Sequence, residues 1–136
     1  MSTWTQLLRH PDAIEGLYEV PPPLAQFRLS EVSWEEASSC CTLRGTLSKF
    51  ADFPRTHWEE DANRVGIRLR LDDVDEFDME GWSFENIVDI EIAPIEGATR
   101  LLLVARGEEM TLRASCAGLQ VIDVYAYHSL QAAPAN

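Results

Sequence analysis

Six carboxylates, Asp72, Asp73, Asp75, Glu76, Asp78 and Glu80, fall between positions 72 and 80 with no Lys or Arg among them. Carboxylates spaced about 7 Å apart along one face of an extended chain repel one another unless something positive covers them. Three chemistries fit such a run: a hard cation, a basic protein partner, or a solvated strand edge whose charge keeps sheets from pairing with one another. Calcium is the weakest fit, because D-D-V-D-E-F-D-M-E lacks the central glycine and terminal bidentate Glu of an EF-hand loop. No metal site and no cofactor is expected here.

Aromatic residues accompany the acids. Trp58 and Trp82 flank the segment and Trp34 precedes it. Large rings beside charged groups are common anchors of protein interfaces. The competing reading makes all four tryptophans, Trp4 included, core or capping residues. The candidate partner-binding set is therefore Asp72, Asp73, Asp75, Glu76 and Asp78, with Trp58 and Trp82 as apolar anchors.

Nothing in the chain points to catalysis. There is no phosphate-binding glycine loop, no G-x-S-x-G and no H-E-x-x-H. Ser30, Ser33 and Ser129 lack the surroundings of a nucleophile. His10, His57 and His128 are far apart, and none has a Cys or His at zinc-ligand spacing. Cys40, Cys41 and Cys116 are odd in number, and two are sequence neighbours, which suits reduced, buried thiols rather than a disulfide.

The elements that must hold the acidic run read as β-strands. Val65, Ile67, Leu69 and Leu71 alternate with Gly66, Arg68 and Arg70, the period of a strand with one buried and one wet face. Phe27 and Leu29 alternate, then Val32 and Trp34 continue in the other phase, which predicts a bulge near Ser30 and Glu31. Cys41, Leu43, Gly45 and Leu47 give a second run, and the two form an antiparallel hairpin across a polar turn at 35–39. Val88 to Ile92, the doubly apolar Leu101 to Val104, Met110 to Cys116 and Leu119 to His128 complete about seven strands. No helix of useful length separates them. The predicted fold is mainly β, an antiparallel sandwich or strongly curved sheet with short N-terminal helical segments. Ser2 or Thr3 and Asp12 are placed to cap those segments, and Pro21, Pro22 and Pro23 stiffen the connector into the first strand or, alternatively, form a PxxP ligand. One domain is expected over 1–136: a helical cap and Pro-rich connector at 1–23, a β body at 24–130 and a frayed tail at 131–136.

The net charge of −12 opposes nucleic-acid or anionic-membrane binding through a general basic surface and suits a basic partner, or solubility alone. No apolar run approaches the roughly 20 residues that span a bilayer, and the N-terminus lacks a secretory signal core, so a cytoplasmic protein is expected.

The motif order resembles immunity protein family 50 of bacterial polymorphic toxin systems. The resemblance rests on Leu17-Tyr18 leading through the prolines to Leu24, Leu29-x-Glu31-Val32, Pro54 to Trp58, Val65-x-Ile67-x-Leu69-x-Leu71-x-x-Val74, Gly81-Trp82, Asp89-Ile90-Glu91-Ile92, and Tyr125-Ala126-Tyr127-His128. It implies a non-catalytic protein that neutralises a cognate toxin by binding it. A nuclease toxin would explain the acidity, since its active site is built for phosphates. The alternative is a β-rich accessory, small-ligand or metal-binding domain whose acidic surface serves solubility.

Overall fold

The structure is a computed structural model, and it describes residues 4–83 and 85–130. Eight antiparallel strands form one sheet: β1 (Phe27–Glu35), β2 (Cys40–Thr46), β3 (Arg64–Asp72), β4 (Glu76–Glu80), β5 (Asn86–Pro94), β6 (Leu101–Gly107), β7 (Thr111–Cys116) and β8 (Gly118–Tyr127). Their order is β4-β7-β6-β5-β1-β2-β3-β8.

Connectivity forces this sheet to bend. Only residues 73–75 join β3 to β4, and only Ala117 joins β7 to β8. In a flat sheet each of those joins would have to cross six interstrand steps, roughly 29 Å at about 4.8 Å per step. Three residues reach about 11 Å at most. The β3–β8 ribbon therefore turns a corner and continues as the β4–β7 ribbon, which carries one end of the sheet back over the other without closing it.

The concave side holds one core. Leu43, Val65, Ile67, Leu69 and Leu71 from one half, and Leu103, Ala105, Leu112 and Ala114 from the other, have no exposed surface. The period-two pattern of β3 thus maps onto burial as expected. The bulge is present, with the β1–β2 register shifting between Leu29 and Glu31. Upstream of it, β1 also pairs with β5, through Phe27 to Leu29. Downstream, β1 pairs with β2 alone.

The N-terminal segments lie against this core. A 3-10 turn at Trp4–Leu7 is followed by the short helix α1 (Asp12–Glu15). Trp4, Leu8, Ile14, Leu17 and Tyr18 are buried, and Leu8 bridges to Leu119. Pro11, not Asp12, occupies the α1 cap position, and no side chain caps it. Ser2, Thr3 and the tail at 131–136 lie outside the described residues.

Three further details differ from the sequence reading. The strand count is eight, because the acidic segment is a strand of its own. Gly66 is not on a wet face: the Tyr125 ring covers it, and an added Cβ would stand 2.3 Å from that ring. In β6, only Leu103 and Ala105 are buried, while Leu101, Leu102 and Val104 are half-buried. A run of leucines therefore marks a strand covered on one side.

Candidate partner-binding face

The chain leaves β3 at Asp72 and enters β4 at Glu76 through a corner that uses up the first acids of the run. Asp72 is buried. Its carboxylate accepts hydrogen bonds from Arg70 Nε at 2.7 Å and Gln120 Nε2 at 3.0 Å, and Arg9 Nη1 lies 3.2 Å away. Burial alone would push this carboxyl up. The hydrogen bonds from Arg70 and Gln120, with the charges of Arg70 and Arg9, outweigh it and hold the group below the usual carboxylate range.

Asp73 takes a left-handed backbone conformation, φ 51°, which Asp tolerates better than most residues. Arg100, from the end of the β5–β6 connection, clamps this corner. Its Nη2 donates to Asp75 Oδ1 at 2.9 Å, and its Nη1 lies 3.6 Å from Asp73 Oδ2. Ser115 Oγ also donates to Asp75. That bond, with Arg100, keeps the exposed Asp75 carboxyl low. Backbone bonds complete the corner, from Val74 N–H to Ser39 O at 2.8 Å and from Ala117 N–H to Asp72 O at 2.8 Å.

Beyond the corner the geometry opens. Strand β4 pairs with β7 on one side and ends the sheet on the other. All five of its residues are exposed. Side chains directly opposite in an antiparallel pair share a face. Phe77 and Met79 stand opposite the buried Ala114 and Leu112, so they point to the core side. Glu76, Asp78 and Glu80 point outward, with Arg113 opposite Asp78. Among the described residues these three acids have no ion-pair partner within 4.0 Å.

Phe77 and Met79 face inward but are not sealed, with 36% and 37% of their surfaces exposed. Trp34, opposite Cys41 on β1, is 50% exposed, and its ring lies 5.7 Å from that of Phe77. The bend thus leaves an open lip between the free edge of β4 and the far half of β1. Core-facing aromatic and thioether groups reach solvent there.

The candidate residues are therefore dispersed. Asp72 sits inside the corner, Asp73 and Asp75 share Arg100, and Glu76 and Asp78 lie free on β4. Trp82, past Gly81, is 47% exposed. Trp58 lies in the loop that enters β3 at Arg64, whereas the acidic run leaves β3 at Asp72. It packs half-buried against the core, 6.1 Å from Phe50, with the Arg55 guanidinium 5.9 Å from its ring. The sequence reading passed over Trp34, Phe77 and Met79 as members of the face. E-F-D-M-E is a complete period-two strand in its own right, and that signal could have separated it from β3. Among the described residues, no group of three or more His, Cys, Asp or Glu is placed to hold a metal ion, and no helix is long and apolar enough to cross a membrane.

The family model described as Immunity protein 50 matches residues 10–127. No curated protein and no solved structure matches the chain.

Proposed function

The chain belongs to the Immunity protein 50 family, and from that premise we propose that it neutralises a cognate bacterial toxin by binding it, without catalysis of its own. The binding face is the lip at β4. Trp34, Phe77 and Met79 form its apolar centre; Glu76, Asp78 and Glu80 form its charged side. Asp73, Asp75 and Trp82 lie at the rim. Asp72 and Trp58 serve this face indirectly, by fixing the corner and the core behind it. The partner is a basic toxin domain of a polymorphic toxin system, a nuclease being the class whose phosphate-binding surface best complements a chain of charge −12. Encounter would take place in the bacterial cytoplasm.

One observation carries this reading: Trp34 of β1 and Phe77 of β4, their rings 5.7 Å apart, stay exposed where the other face of β4 is acidic. Core-facing aromatics left open to water match the anchors that dominate interface energetics, and unpaired acids beside them match the groups that steer association. An edge protected only by charge needs no exposed rings.

Co-expression with the toxin domain encoded by an adjacent reading frame tests the proposal. Rescue of growth by the native chain is expected. Rescue should be lost with Trp34→Ala combined with Asp78→Lys, while the variant stays folded at the growth temperature, as read from its melting curve. Full protection by that variant would remove the β4 lip from the mechanism.

A further inference from the structure

Resting on the reading above, we propose that the partner engages by strand addition: an extended segment with alternating basic and apolar residues pairs with the free edge of β4. The backbone supplies the first reason. Asp75 N–H donates to Ser115 O, and Gly107 N–H donates to Met110 O across the β6–β7 turn. Antiparallel ladders alternate between bonded and non-bonded pairs. Counting from either bond, Glu76, Asp78 and Glu80 are the β4 residues bonded to β7. The N–H and C=O groups of Phe77 and Met79 therefore point away from the sheet. No hydrogen bond among the described residues takes them up.

The side chains specify what such a strand would carry. An added strand would continue both faces of β4. On the core side it would meet Phe77, Met79 and Trp34, so its residues there are apolar. On the outer side it would meet Glu76, Asp78 and Glu80, so its residues there are Lys or Arg. Charge also argues against a second copy of this chain: pairing β4 with β4 would bring the three outward acids of each copy onto one face. The acids thus oppose self-pairing and favour a basic strand at the same edge.

A nine-residue peptide of alternating Arg and Val serves as the probe, with an analogue of equal charge methylated on its internal amides. Binding is measured at low salt, and amide exchange is followed residue by residue. The unmodified peptide is expected to bind roughly tenfold tighter than the analogue and to slow exchange at Phe77 and Met79 by a similar factor. Equal binding of both peptides, with exchange at Phe77 and Met79 unchanged, would overturn strand addition and leave the acidic-aromatic face standing. If neither peptide binds, the inference falls together with the reading beneath it. Concentration-dependent protection of the same two amides in the protein alone would assign the edge to a second copy, which also overturns the inference.

Discussion

The outer face of β2, β3 and β8 and the edge strand β4 carry similar ingredients, charge and aromatic rings, yet treat them in opposite ways. On the first, every ingredient has a neighbour. Arg44 donates to Tyr125 Oη at 2.8 Å, its guanidinium sits 5.2 Å from the centre of that ring, and Glu31 lies 3.7 Å away. Arg68 faces Asp123 at 3.6 Å, and the Thr46 and Tyr127 hydroxyls are 2.6 Å apart. On β4, three outward acids have no ion-pair partner among the described residues, and Phe77 meets Trp34 across an open lip. The first region has spent its polar groups on the fold. The second holds them available. A charge therefore speaks for binding only where the fold has left it uncompensated.

The largest way to break this contrast is at Gly66. Its missing side chain is the seat of the Tyr125 ring, whose atoms would stand 2.3 Å from a Cβ. Gly66→Val should displace Tyr125 and its Arg44 contact and cost about 2–3 kcal/mol of stability, read from urea unfolding. Partner affinity of the molecules still folded should be unchanged. A loss of affinity at unchanged stability would move the binding function to the outer face.

Trp34→Ala is the mirror experiment. About half of the side chain's surface is buried, so stability should fall by about 2 kcal/mol, roughly half the cost of deleting a fully buried Trp. Partner affinity should fall by about 2 kcal/mol, near thirtyfold, the size expected of an interface anchor. The opposite pattern, a large stability loss with affinity intact, would make Trp34 part of the core wall.

Charge comes next. Reversing Glu76 and Asp78 to Lys should slow association by about tenfold at low ionic strength, and added salt should shrink the effect. Reversing Asp73 and Asp75 instead attacks the Arg100 clamp and should lower stability as well. Equal kinetic effects from both pairs, with stability untouched, would restore the whole run as a single docking patch.

Much of this arrangement was legible in the sequence. The alternation of Val65 to Leu71 marks β3 and its buried face, and the phase change after Leu29 marks the bulge. These signals are local, and each arises from the pleat of one strand. The division of the acidic run was not legible, because it depends on residues far along the chain. Arg100 reaches Asp75 from 25 positions away, and Gln120 reaches Asp72 from 48. Trp34 stood out as a large ring but not as a member of the face, since its exposure follows from where β5 parts from β1. Gly66 looked outward by parity, and only the register with Tyr125 shows what fills the space above it.

The smallest effect sharpens the boundary between the two regions, at Asp72. Its carboxyl is held below the usual range by Arg70, Gln120 and Arg9 despite burial. A group whose folded pKa is depressed adds stability that is present above its unfolded pKa, about 3.9, and is lost as pH falls through the folded value. Asp72→Asn keeps the size and an acceptor oxygen but removes the charge. The native protein should therefore be the more stable of the two at pH 7, and the gap in their urea midpoints should narrow below about pH 4. Asp75 is depressed too, led by its bond from Ser115, but it is present in both proteins and cancels in the difference. A gap that stays constant from pH 7 to pH 2.5 would mean that the Asp72 charge is not held by its neighbours. Asp72 would then hold the corner by shape and hydrogen bonding alone, and its charge would belong to neither region.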